Sequence, residues 1–273
     1  MIKKALRYIA TIAVLSLVII FIFTEKEPKE DFAPRDYAEI ITSGKLRAVT
    51  VYNAISMHIQ GDTLEGFDYE LLSAFAQAKG IKLEITPATS FEKRFEGITE
   101  GRYDILAAPT AITTQLKDTL NFTHSLLLSR QVLVQRKKEE GKDNLYITRL
   151  LDLANRDIHV IKDSPAIVRI HNLMMEIGDT IHIHEVERYG SEQLLAMVAA
   201  GDIDYAVCED NIAQASIQEY PNLDIQTDIS FNQFYSWGVH KHSVILLDSL
   251  NSWLDEYLKT KAYQKLYKKY FDK

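Results

Sequence analysis

The chain has 273 residues, 47% of them hydrophobic and 25% charged, which is a globular composition and excludes wholesale disorder. Net charge is −7; the first 30 residues hold five Lys or Arg against three Glu, so the remainder stands at −9. That balance argues against nucleic-acid binding, which needs a basic footprint, and disfavours broad adhesion to anionic lipid. One cysteine, Cys208, excludes an intrachain disulfide and a cysteine-based metal site; within an apolar strand it reads as a small buried hydrophobe.

The N-terminus carries an export pattern: Lys3, Lys4 and Arg7 precede an apolar run from Tyr8 to Phe23. No cysteine follows the run, which excludes lipoprotein processing, and no Ala-x-Ala ends it. The run is slightly short of the roughly 20 residues that a spanning helix prefers. Residues 1–24 read as an uncleaved signal-anchor, a hydrophobic helix that tethers the rest outside the cytoplasmic membrane; a cleaved signal peptide is the alternative. Residues 25–36, charged and with two prolines, read as a linker.

Beyond the linker, Tyr37 to Ser43 predicts a short helix ended by Gly44, and Leu46 to Val51 a strand. Gly61-Asp62 marks a turn. Gly66 opens a helix with Phe67, Leu71, Leu72 and Phe75 on one face, closed by Gly80. A strand at 81–85, a helix at 91–100 with Phe91, Phe95 and Ile98, and a strand at 103–108 follow. The alternation is that of a mostly parallel α/β sheet. Leu126 to Gln135 is a long run of β-formers, followed by a charged turn. The pattern then restarts: short helix 148–154, strand 158–161, helix 165–176, strand 181–186, helix 191–199, strand 205–208, helix 210–219. An extended aromatic stretch occupies 229–240, and the end is helical.

One unit occurs twice. Gly101-Arg-Tyr-Asp104 and Gly201-Asp-Ile-Asp204 each end an amphipathic helix and open an apolar strand. Two lobes built on the same plan imply a cleft between them, and clefts at such interfaces bind small ligands.

Three stretches carry a resemblance to a known family. Gly66-Phe-Asp-Tyr-Glu-Leu71, Gly101 through Thr123, and Ala200 to Glu209 resemble the extracytoplasmic solute-binding proteins of the amino-acid type, bacterial solute-binding family 3. Within the family, Asp68 to Leu71 and Asp104 to Ala108 look closest to the binding module that precedes the peptidoglycan-cleaving domain of membrane-bound lytic transglycosylases of the F type. The resemblance implies a two-lobe, type II periplasmic-binding-protein fold with two hinge crossovers, at Leu128 to Val134 and Phe231 to Val239. Lobe 1 would be 44–131 plus 236–273, and lobe 2 would be 132–235. Ligand would close the lobes by a hinge motion.

The resemblance also implies site residues. The family pairs an arginine with the ligand's carboxylate, a fork suited to bidentate binding; here Thr113-Thr114-Gln115-Leu116 stands in that place, and the arginine position is Leu116. Pro109 and Ala111 occupy nearby hydroxyl positions. Thr110 and Thr113 keep hydroxyls at the strand end, able to donate to a ligand or to cap the next helix. The family's ammonium-binding aspartate falls on Glu209, with Asp210 beside it either as a second acid or as a helix cap. Ser164 sits where a helix start takes the carboxylate, though Ser164-Pro165 is also a good N-cap. Tyr52 and Asn53 follow the first strand, where the family places an aromatic over the ligand. His182 and His184 alternate on a strand, but without an evident third ligand they do not make a metal site.

Nothing in the sequence asks for a cofactor or a metal. No Gly-x-Ser-x-Gly, phosphate loop or zinc motif is present, no pair of carboxylates is placed for glycoside hydrolysis, and the chain ends before a transglycosylase domain would begin. The expectation is a non-enzymatic, periplasmic binding protein anchored by residues 8–23, which closes over an amino-acid derivative, peptide or cell-wall fragment for transport or sensing. Its partners would be that ligand and a membrane transporter or cell-wall enzyme. The alternative is a regulatory or interaction module with a degenerate cleft.

Overall fold

The computed structural model describes residues 32–138, 146–187 and 190–271. The apolar run at 8–23, and with it the N-terminal hydrophobic helix, lies outside them, as does most of the charged turn after residue 136. Among the described residues no helix is long and apolar enough to cross a membrane.

In chain order the elements are α1 (Tyr37–Ser43), β1 (Lys45–Thr50), β2 (His58–Gln60), β3 (Thr63–Glu65), α2 (Phe67–Ala78), β4 (Lys82–Pro87), α3 (Phe91–Thr99), β5 (Ile105–Ala111), α4 (Thr114–Thr119), β6 (Leu120–Phe122), β7 (Leu127–Ser129) and β8 (Gln131–Arg136). After a 3-10 turn at Leu150–Leu153 come β9 (Asp157–Ile161), α5 (Pro165–Ile177), β10 (His182–Val186), α6 (Ser191–Ala200), β11 (Tyr205–Glu209) and α7 (Asp210–Ser216). A 3-10 turn at Ile217–Glu219, then β12 (Leu223–Asp228), β13 (Gln233–His240), α8 (Val244–Tyr257) and α9 (Lys261–Phe271) complete the chain.

Two large sheets result, one per lobe, besides the β2–β3 hairpin. Lobe 1 has the order β4-β1-β5-β13-β6, with β7 also on β13; lobe 2 has β10-β9-β11-β8-β12. In each, three parallel strands from successive strand–helix units are joined by one antiparallel strand that arrives from the other lobe: β13 against β5, and β8 against β11. This is the two-lobe type II arrangement. The chain leaves lobe 1 after Ser129 of β7 and joins lobe 2 at Gln131, so Arg130 is the outward crossing. It returns between Asp228 of β12 and Gln233 of β13.

The helices bury the faces their spacing dictates. Phe67, Leu71, Leu72 and Phe75 of α2 join Leu46, Ile105, Trp237 and Leu250 in the core of lobe 1. In lobe 2, Ile170 and Leu173 of α5 cover one side of the sheet, and Leu194, Leu195 and Val198 of α6 cover the other. Each of these aliphatic side chains contributes about 1.5–3 kcal/mol on burial.

Several expectations need correction. The β2–β3 hairpin and β6 went unread, because strands of three residues are too short to show a periodicity; β12 went unread although Leu223 and Ile225 alternate with polar residues. The helical end is two helices, broken at 258–260. The helix expected at 148–154 is a 3-10 turn. Residues 33–36 are docked rather than free: Arg35 bonds Asp104 through Nε (3.0 Å) and Nη2 (2.5 Å). Asp36 both caps α1 and accepts from the Leu246 amide at the start of α8 (2.7 Å).

Candidate functional site

A partly open cavity lies between the lobes, under the C-terminal ends of β5 and β11. It measures about 90 Å³. At roughly 10–15 Å³ per water, that is space for a handful of waters or one small solute. A peptide or glycan fragment would have to extend out of it.

Lobe 1 contributes a buried cation that sequence reading missed. Ser90 caps α3 through its hydroxyl, which accepts from the Lys93 amide (3.2 Å), and the helix then carries Arg94 to the cavity wall, 8% exposed. Its Nη1 donates to the carbonyls of Ala88 (2.6 Å) and Thr89 (2.7 Å), and its guanidinium lies over the Phe91 ring at 5.7 Å. These contacts fix the fork in place. Burial lowers its pKa to about 10, against the opposing pull of Glu209, so it stays charged at neutral pH. The sequence signal was there: positions 91, 94, 95 and 98 form one helical stripe, and an arginine on an otherwise apolar stripe needs a reason.

Lobe 2 contributes Glu209, the last residue of β11, which lines the same cavity. Ser191 at the start of α6 donates its hydroxyl to Glu209 Oε2 at 3.4 Å. The cavity therefore carries one cation from one lobe and one anion from the other.

Tyr235 of β13, 2% exposed, also lines the cavity, and its hydroxyl has no partner. Burial, and then Glu209, push its pKa upward, so it is a neutral donor. Buried polar atoms are normally satisfied; one left open beside a cavity points to a bound group. Ser164 gives the same signal. It occupies the N-cap position of α5 but makes no capping bond, and its buried hydroxyl is unpartnered on the cavity wall. Thr110 lines the cavity too, its hydroxyl donating to the Ala108 carbonyl (2.9 Å) and leaving lone pairs open. Cys208 is a buried wall residue whose thiol burial holds well above its usual pKa.

The other candidates sit elsewhere. Asn53 organises its own loop, its Oδ1 accepting from the amides of Ile55 (3.0 Å) and Ser56 (2.6 Å). Thr113 caps α4 by accepting from the Leu116 amide (3.3 Å), and neither it nor Leu116 lines the cavity. Asp210 neither caps α7 nor lines the cavity: it is the first residue of that helix and faces the hinge, 3.7 Å from Arg130 Nε. Tyr52, half-exposed, stands at the cleft mouth outside the cavity. His184 bonds Asp157 (2.6 Å) and stacks on His159; among the described residues no cluster of three or more His, Cys, Asp or Glu could hold a metal ion.

Two lobes, two crossing strands and a cavity under both sheets, largely apolar with a few polar groups, define a solute-binding module. The chain belongs to the bacterial extracellular solute-binding proteins, family 3, whose model matches residues 46–273. Similar proteins include the membrane-bound lytic murein transglycosylase F of Desulfosudis oleivorans, 28% identical over 229 residues, covering 84% of this chain and 49% of that protein. Its counterpart from Alteromonas mediterranea is 28% identical over 235 residues, covering 83% and 48%. The chain thus spans about half the length of the curated relatives it matches. Among solved structures, a mutant of the arginine-binding protein of T. maritima superposes with a TM-score of 0.74 at 22% identity, covering 86% of this chain and 99% of that one. An ancestral arginine-binding protein bound to arginine gives 0.73 at 24% identity, covering 84% and 98%.

Proposed function

We propose that this chain is a non-catalytic, extracytoplasmic binding module that closes its lobes over a small polar ligand bearing both a carboxylate and an ammonium group. An amino-acid derivative or the end of a short peptide, including one released from the cell wall, has that chemistry. The observation that carries the reading is the pair Arg94 and Glu209, one from each lobe, in a cavity that also holds the unpaired Tyr235 hydroxyl. A guanidinium fork receives a carboxylate; a carboxylate opposite receives an ammonium. A ligand bridging the two favours the closed state because only that state offers both contacts. Arg94 supplies the cation that Leu116 lacks. The transporter-linked role common to such proteins and regulation of a cell-wall enzyme both follow from ligand-driven closure; the names of the transglycosylase relatives favour the second. The export pattern at the N-terminus supports a periplasmic location, anchored through residues 8–23.

The test is a thermal melt of the purified chain against amino acids, short peptides and soluble murein fragments. A ligand at a hundred times its Kd adds about 2.7 kcal/mol, a rise of roughly 5–10 °C for a domain this size. Arg94→Met and Glu209→Gln should each remove that rise while keeping the fold. If no charged solute moves the melt, the module is an interaction domain with a silent cleft.

A further inference from the structure

Away from the hinge, a hydrogen bond joins the lobes on one flank of the cleft. The Ala54 amide of lobe 1 donates to Glu192 Oε1 of lobe 2 at 2.7 Å. The donor belongs to a loop that lobe 1 builds by itself. Asn53 donates its amide to the Met57 carbonyl (3.0 Å), the Asn53 side chain takes the next two amides after Ala54, and the Ile55 carbonyl accepts from Phe67 (2.6 Å). Within this turn Ala54 is the amide that bonds outside its own lobe. The acceptor is in the first turn of α6, behind the N-cap Gly190, which brings no capping side chain. A carboxylate there ordinarily serves its own helix terminus; Glu192 instead reaches across the cleft. Ser191, its neighbour, is the residue that bonds Glu209, so the bridge and the cavity wall share one helical turn. On the same flank Ala215 of α7 packs against the core of lobe 1.

We propose that Glu192 is a clasp: a positioning residue that sets the balance between open and closed lobes and holds Glu209 opposite Arg94, whatever the cavity contains. It rests on the two-lobe reading of the cleft but not on the identity of the ligand. Because Asn53 shapes the loop without lobe 2, the amide is presented in the open state and needs no induced fit. Opening leaves that amide and carboxylate to water, so the clasp is worth one charge-assisted hydrogen bond, about a tenfold change in the open-to-closed ratio.

The experiment is a distance measurement on the full chain without added solute. The only native cysteine is buried, so Lys82→Cys in lobe 1 and Met175→Cys in lobe 2, both on exposed surfaces, take spin labels selectively for pulsed EPR. The expected result is a dominant short distance in the otherwise native chain. Glu192→Ala should shift about tenfold toward a longer one, and Glu192→Gln, whose amide oxygen still accepts from Ala54, should keep the short one. An unchanged distribution in Glu192→Ala with an intact melt overturns the clasp. So does a long distance in the native chain, or equal opening by both variants. The melt against charged solutes is independent, so failure of the clasp and failure of the binding reading are told apart.

Discussion

The two lobes repeat one architecture but differ in what they bury. Lobe 1 encloses three charged side chains, Asp68, Arg94 and Asp104, whereas lobe 2 buries none among the described residues. The duplicated aspartates make the contrast concrete. Asp104 has a fully buried side chain and takes ion pairs from Arg35 and Arg47 (2.8 Å), together with the Arg47 amide (2.8 Å). Asp204, at the same place in lobe 2, pairs with Arg136 and is half-exposed. Lobe 1 has been wired as a fixed base that ties down the incoming segment and the returning strand. Lobe 2 is an apolar jaw that brings its acid, Glu209, only to the cleft edge.

That contrast can be broken most forcefully at the aspartates. Asp104→Ala removes the buried carboxylate shared by two arginines and should cost about 3–5 kcal/mol, whereas Asp204→Ala should cost about 1 kcal/mol or less. Chemical denaturation measures both, and equal costs would erase the distinction. Next come the glycines that end the two helices. Both have positive φ, +77° at Gly101 and +86° at Gly201. A Cβ at 101 would also collide with the Ala33–Pro34 backbone, while at 201 nothing comes closer than Arg136 Nη1 at 3.9 Å. Gly201→Ala should cost about 1–2 kcal/mol, and Gly101→Ala about 1–3 kcal/mol more.

A pH series sharpens the comparison further. Asp68 accepts from Trp237 Nε1 (2.7 Å), and burial pushes its pKa up to about 8 from the ordinary 3.8. The folded chain therefore holds a proton that the unfolded chain has released, and stability falls as pH rises between about 4 and 8. Asp68→Asn, permanently neutral, should flatten that part of the stability profile and melt higher than the native chain at pH 8–9. A native-like slope in the variant would place the titration elsewhere. The smallest effect is expected from Leu116→Arg. Since position 116 does not line the cavity, the change should leave the melting response to carboxylated ligands unaltered.

Much of this was legible in the chain. Glycines at the ends of α3 and α6, each followed by an aspartate and a strand, announced two lobes, because helix termination and strand onset are local events. The site was less legible. Thr110, Ser164 and Glu209 do line the cavity, since strand ends and helix starts converge there in any open α/β sheet. Asn53, Thr113 and Asp210 serve loop, cap and hinge, and residue type alone does not separate those uses from ligand binding. Arg94 and Tyr235 were missed because each sits in a regular pattern, an amphipathic helix and an aromatic strand, that hides a polar group until the opposing lobe is in place.

The crossing at Arg130 constrains how the molecule can flex. Its guanidinium is ion-paired with Asp228 (2.9 Å) and faces Asp210, both carried by lobe 2, and its carbonyl accepts from the Asp210 amide (2.8 Å). Arg130 must therefore travel with that lobe. The outward strand turns at the Ser129–Arg130 junction, while on the return Ile229 and Ser230 are still held to Gln131 of lobe 2 (2.8 and 3.2 Å), which leaves Phe231 and Asn232 as the crossing. Two crossings this short, side by side, leave little chain to slide and suit a swing of one lobe against the other.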